Sequence, residues 1–222
     1  MLNLLYNDKY LIVCVKPTGV LSEPFLREKN MPQLLKKQTG AYKIDVIHRL
    51  DRNVGGVMVY SKSSKATVPL AKMMSSHKFT KEYLAVVKGT PEVSGTFQDY
   101  LVKDKKNCKV YVTNSSNKDA KFAKLDYQVL AQNKGFSLVK IRLHTGRTHQ
   151  IRVQFASRGF YLVGDTKYGN QNTTENGKTP IALYAYHLAF LHPISKQEIN
   201  FVSLPEMEGA FSLFKKEIQN LK

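Results

Sequence analysis

An aspartate flanked by two arginines, in the run His48-Arg49-Leu50-Asp51-Arg52, follows the short stretch Asp45-Val46-Ile47 and precedes Gly55-Gly56. A carboxylate in that setting can serve as nucleophile or as a fixed charge that stabilises charge developing beside it. Arg49 and Arg52 would favour its ionised form, because an opposite charge within hydrogen-bonding range lowers a carboxyl pKa by about 1–3 units. Gly55-Gly56 would let backbone pass close to a ligand or to a second strand. A loop aspartate paired with a neighbouring arginine is the plain alternative. The run is not a kinase catalytic loop: the order differs from HRD, and neither a glycine-rich phosphate loop nor GxxxxGK[ST] is present.

Three further segments carry chemistry. In Leu143 to Gln154, LHTGRTHQIRVQ, a glycine precedes a predicted helix from about Thr148 to Ser157. On that helix Thr148 and His149 would share a face with Arg152. Arg147 would sit at the helix start, where its charge opposes the dipole and calls for an anion such as phosphate. A solvated surface arginine is the alternative. His144 and His149 lack the i, i+4 spacing of a helical zinc pair. In Lys81 to Val87, KEYLAVV, Tyr83 opens a strand just after His77, Lys78 and Lys81. It is either ordinary sheet surface or a stacking platform for a base. In Leu162 to Gly169, LVGDTKYG, two glycines bracket an ordered loop or a plain turn holding Asp165.

The elements that must position these groups are legible from periodicity and turn signals. Strands are predicted at 10–15, 57–61, 83–87, 96–102, 108–113, 125–130, 136–143, 182–191 and 198–203. A helix is predicted over 67–77, with Thr67 as cap, Pro69 in its first turn and Leu70, Met73 and Met74 on one face. Residues 22–42 read as loop with a short helix, 114–120 and 170–180 as polar loops, and 206–221 as an amphipathic helix with Phe211, Leu213 and Phe214 inward. Strands in runs with few helices between them imply an α+β fold, a mostly antiparallel mixed sheet with flanking helices and loops.

The 222 residues suit one domain, with a composition 42% hydrophobic and 10% aromatic that is globular rather than disordered. Lys and Arg number 34 against 17 Asp and Glu, a net charge of +17 that implies a polyanionic partner: nucleic acid, an acidic membrane face or an acidic protein. Cys14 and Cys108 each lie in a strand-like run and read as buried, reduced thiols of a cytosolic protein. No CxxC or Cys/His cluster supports a structural zinc site. MLNLLYNDKYLIV has no basic lead or long apolar run, so no secretion signal is expected, and no stretch approaches a membrane span. Asn114-Ser115-Ser116 and Asn172-Thr173-Thr174 match the glycosylation pattern but read as polar loop.

In order and spacing, HRLD at 48–51, KEYLAVV at 81–87, GRTHQIR at 146–152 and GDTKYG at 164–169 resemble the RluA-type pseudouridine synthases, as does KPTGVL at 16–21. The resemblance spans roughly residues 8 to 193. It implies an RNA uridine isomerase that needs no cofactor and no metal. Asp51 maps onto the family's catalytic aspartate and Tyr83 onto the tyrosine that stacks on the target base and assists proton removal from C5. Arg152 maps onto the arginine that pairs with the aspartate, with Arg147 the other candidate. Arg49 maps onto the arginine tied to RNA entry and base flipping, Leu162 onto the apolar lining of the base pocket, and His149 and Gln150 join the substrate-binding segment. The chain departs from HRLDxxTSG by Val54 and Gly55, which puts the loop after Asp51 in doubt. The expected partner is structured RNA, tRNA or rRNA, with no membrane. A cytoplasmic monomer is expected, a single catalytic domain over 1–222 without a separate N-terminal RNA-binding domain. A catalytically silent RNA-binding or RNA-folding module on the same scaffold is the alternative, and a carboxylate hydrolase using Asp165 as its second acid is a more distant one.

Overall fold

The computed structural model describes residues 1–169 and 180–221. Along the chain come β1 (Leu4–Asn7), β2 (Leu11–Lys16), α1 (Met31–Thr39), β3 (Asp45–Val46), β4 (Gly55–Ser61), α2 (Ser64–Ser75) and β5 (Thr80–Lys88). Then follow β6 (Ser94–Asp104), β7 (Lys109–Thr113), β8 (Lys121–Asn133), β9 (Phe136–Leu143), α3 (Gln150–Ala156), β10 (Leu183–Leu191) and β11 (Glu198–Val202). A 3-10 helix, Gly209–Phe214, runs into α4 (Lys215–Gln219). The α+β expectation holds: β1–β2, β2–β4, β3–β4, β5–β9, β6–β7, β6–β8, β8–β9 and β10–β11 pair antiparallel, and β4 pairs parallel with β10.

The chain divides into two compact units, residues 1–81 with 184–205 and residues 82–183 with 206–222. In the first, β2 pairs with β1 and, over its full length, with β4. β4 lies beside β10, which carries β11 on its far part. Both faces of β4 are buried. One is filled by Leu11, Val13, Val57, Val59, Leu188 and Phe190, against which α2 lays Ala66 and Leu70. Phe79 and Phe190 stack with ring centres 4.6 Å apart. Burying a leucine such as Leu70 contributes about 1.5–3 kcal/mol. Met73 and Met74 pack against this cluster too, as their spacing predicts.

Helix α2 starts earlier than expected. Ser63, not Thr67, is its cap, accepting from the Lys65 N–H, and Pro69 falls inside the helix. The Thr67 hydroxyl instead donates to Asp45 Oδ2 at 2.6 Å. Gly55-Gly56 serves close approach to a second strand. Gly56 has φ 130°, and a Cβ there would sit 2.2 Å from the Ala185 carbonyl oxygen of β10.

In the second unit β9 lies between β5 and β8, and β6 between β8 and β7. Leu101, Val110 and Ala123 of this sheet meet Val153 of α3. Phe97, Tyr127 and Phe155 form an aromatic cluster, with the Arg158 guanidinium 4.0 Å from the Phe97 ring centre. The tail is a 3-10 helix followed by one short α-helix rather than a single amphipathic helix. Phe211, Phe214 and Ile218 are buried and Leu213 is half-buried. Cys14 is buried, but Cys108 is exposed in the turn between β6 and β7, in left-handed backbone at φ 50°. Asn114-Ser115-Ser116 lies in a polar turn, whereas 172–174 and nearly all of the loop expected at 170–180 lie outside the described residues.

Candidate active site

Asp51 sits on the turn between β3 and β4, where its carbonyl accepts from the Val54 N–H at 3.0 Å. Val54 is buried, so its side chain serves packing. The residue before Asp51 is clamped on both sides by a serine: Leu50 N–H donates to Ser22 Oγ at 3.0 Å, and the Ser22 hydroxyl donates to the Leu50 carbonyl at 2.8 Å. Tyr60 of β4 holds the clamp from behind, its hydroxyl donating to the Ser22 carbonyl at 3.0 Å.

The residue after Asp51 is tied by Lys16. This lysine has no exposed surface, and its ammonium donates to the carbonyls of Pro17 (3.0 Å), Val20 (2.7 Å) and Arg52 (3.1 Å). All three of its donors are thus placed on backbone. Burial pushes the Lys16 pKa down to about 8, against which the charge of Asp51 acts upward. A buried cation thus braces the loop and acts electrostatically on the carboxylate. Sequence reasoning missed both Ser22 and Lys16.

The two arginines flanking Asp51 point to other acids. Arg49 Nη1 is 2.7 Å from Glu23 Oε1, and Arg52 Nη2 is 2.7 Å from Glu28 Oε2. His48 Nε2 accepts the Val59 N–H at 3.2 Å. Although part of His48 reaches the surface, burial of its ring, with the charge of Lys81 adding to it, pushes its pKa down to about 3. It is a neutral acceptor that pins the HRLD turn to β4.

The remaining candidates lie in the second unit. Tyr83 is buried, the fourth residue of β5, and pairs with Ile141 of β9. Leu162 is 1% exposed and bridges to Val87 of the same strand. Arg152 projects from α3 and forks onto Asp165, Nε to Oδ2 and Nη2 to Oδ1, both at 2.8 Å. The backbone N–H groups of Lys167 and Tyr168 also donate to Asp165 Oδ1, at 3.0 and 3.1 Å. Burial alone would raise the Asp165 pKa, but the Arg152 bonds and charge and these two N–H groups outweigh it and hold it below the usual carboxylate range. Asp165 is a fixed counter-charge, ill suited to carry a proton as a second catalytic acid.

The segment between β9 and α3 differs from expectation. The helix begins at Gln150, because His149 adopts the left-handed conformation at φ 53° and breaks it. Arg147 and Thr148 therefore lie in a turn. Arg147 is exposed, and its Nε donates to the Phe122 carbonyl at 2.8 Å. Gln150 is buried and its amide knits the turn together, accepting from Thr145 Oγ1 (2.8 Å) and Arg147 N (3.0 Å) and donating to the Lys124 carbonyl (3.1 Å). His149 Nδ1 lies 2.7 Å from the Tyr168 hydroxyl. Among the described residues no group of three or more His, Cys, Asp or Glu side chains could hold a metal ion. No described helix is long and apolar enough to cross a membrane.

Residues 10–157 match a family model described as RNA pseudouridylate synthase. An RNA pseudouridine synthase of Mycoplasma pneumoniae is 34% identical over 217 residues, covering 95% of this chain and 68% of its own. The tRNA pseudouridine synthase C of Pasteurella multocida is 33% identical over 218 residues, 89% of either chain. The ribosomal large subunit pseudouridine synthase D of Zymomonas mobilis is 29% identical over 216 residues, 90% of this chain and 68% of its own. Among solved structures, human RNA pseudouridylate synthase domain containing 4 superposes with a TM-score of 0.78 over 98% of this chain and 93% of that one, at 24% identity, a likeness of fold.

Proposed function

The chain belongs to the RNA pseudouridylate synthase family, isomerases acting on RNA, and from that premise we propose that it converts uridine to pseudouridine in tRNA or rRNA with Asp51 as its catalytic carboxylate. The observation that supports the choice of Asp51 is its mounting. Both peptide neighbours are fixed, Leu50 by Ser22 and Arg52 by Lys16, so the backbone that carries the carboxylate is set before any substrate arrives. Such preorganisation costs no reorganisation at the moment of reaction.

The reaction breaks the N1–C1′ bond, turns the base and joins C5 to C1′; the C5 proton is lost, N1 gains one, and the atoms balance within one nucleotide. The carboxylate of Asp51 acts as nucleophile or stabilises charge as the glycosidic bond opens. Tyr83 offers an aromatic face to the base, Leu162 an apolar wall, and Arg152, held by Asp165, a fixed cation. Arg49 and Arg147, both exposed, serve the phosphate backbone, with the +17 charge behind them. A base inside folded RNA must be extruded at a cost of a few kcal/mol, of which stacking on Tyr83 returns about 1–3 kcal/mol. Substrate names among the relatives support tRNA and rRNA.

The test is pseudouridine mapping by carbodiimide labelling of tRNA and rRNA from cells lacking the gene, incubated with wild type or Asp51→Asn. We expect new sites with wild type only, Asp51→Asn falling by about 10³-fold or more while RNA affinity stays within a few-fold. Full turnover by Asp51→Asn would reject the assignment. Identical behaviour of the two proteins in every assay would favour the silent RNA-binding module.

A further inference from the structure

We propose that Tyr168 is a positioning residue for this reaction, acting through His149 and Asp165 to fix the Arg152 guanidinium; the proposal rests on the isomerase reading above. Tyr168 touches each member of the cluster by a different part of itself. Its backbone N–H donates to Asp165 Oδ1 at 3.1 Å, and its ring centre lies 5.2 Å from the Arg152 guanidinium carbon. Its hydroxyl accepts the Val110 N–H of β7 at 2.9 Å and meets His149 Nδ1 at 2.7 Å. Giving its own proton to Nδ1 satisfies the hydroxyl and selects the His149 tautomer with the proton on Nε2.

The loop that carries Asp165 is thereby anchored to strand β7, and Lys167 adds a second tie, its ammonium donating to the Cys108 carbonyl at 2.8 Å. The ring is seated on Leu101, Val110, Ala123 and Val153. The fork between Asp165 and Arg152 is only as rigid as that loop. His149 is the other support: it holds a left-handed backbone one residue before α3, three positions ahead of Arg152, and its ring is pinned by the same hydroxyl. A loss of about an ångström in the placing of a charged group can cost up to 10²-fold in rate.

Tyr168→Phe removes the hydroxyl and keeps the ring and the N–H to Asp165. We expect kcat to fall about tenfold, with KM for RNA and the thermal midpoint close to wild type. His149→Ala should match that loss. His149→Asn should recover most of what His149→Ala loses, because its amide oxygen can accept near the place of Nδ1 and asparagine tolerates the left-handed backbone. A readout on the protein alone is hydrogen exchange of the Arg152 Nε–H by NMR, expected to quicken about tenfold in Tyr168→Phe as the fork loosens. Wild-type kcat in Tyr168→Phe, a loss confined to KM, or unchanged exchange at Arg152 would each overturn the proposal. So would a His149→Asn no better than His149→Ala, since the imidazole itself would then be acting. Absence of pseudouridine with the wild-type protein would sink the isomerase reading instead, and the exchange measurement would still decide the role of Tyr168.

Discussion

Lys16 carries the sharpest prediction at the scale of single residues. Lys16→Met keeps the aliphatic stem and deletes three donors, leaving the carbonyls of Val20 and Arg52 without the partner they now have. Removing one side of buried hydrogen bonds to a charged group costs about 2–4 kcal/mol, to be read from urea unfolding. Because the Arg52 carbonyl, next to Asp51, would then keep only the Gly19 N–H at 2.9 Å, kcat should fall with stability, and a variant of wild-type stability would refute the brace. Nothing local in the sequence announces this role. A lysine before Pro17 at a turn reads as solvated, and one of its acceptors is 36 residues away. Asp51, by contrast, stands in a run that is legible as a family motif because it is contiguous. The reading of its neighbours is less complete: Arg49 and Arg52 reach back to Glu23 and Glu28, and sequence distance hides such pairs.

At the scale of elements, the joint between the HRLD turn and β4 is a neutral histidine, and it has a pH signature. The folded pKa of His48, about 3, lies below the ordinary 6.5. Between these values the unfolded chain holds the extra proton, so stability rises with pH across this window. The contribution of His48 is whole above about pH 6.5 and is lost progressively as pH falls toward 3. Urea midpoints are expected to drop between about pH 7 and pH 5, with a shallower drop in His48→Gln, whose amide can accept from Val59 but does not titrate. An equal slope in both proteins would remove His48 as the cause. The elements themselves are mostly legible, because alternation and turns mark the strands. The misplaced boundaries have local causes. Pro69 suggests a first turn, yet Ser63 and Ser64 offer an earlier cap, and a proline inside α2 is tolerated because Leu70 and Ala66 are buried against the core. Helix α3 is short because His149, an ordinary helix residue by pattern, takes a left-handed conformation that pattern does not encode.

For the whole molecule, the net charge of +17 sets the response to salt. Each phosphate neutralised releases counterions, so RNA affinity should fall by about tenfold or more between 50 and 200 mM salt, measured by fluorescence anisotropy. A flat response would mean that the positive charge is not spent on RNA. The α+β class follows from runs of strands with few helices between them and the family from four ordered motifs, while Lys16, Ser22 and Tyr168 emerge only when segments distant in sequence are brought together. The two cysteines carry one last consequence. Cys14 has no exposed surface, and burial pushes its thiol pKa up to about 12, while Cys108 stands exposed at the β6–β7 turn, whose next strand holds Tyr168. In a chain with two cysteines and no tryptophan, a maleimide dye would attach at that one turn, giving a single-colour reporter, with no engineered residue, for nucleic acid arriving at this corner of the protein.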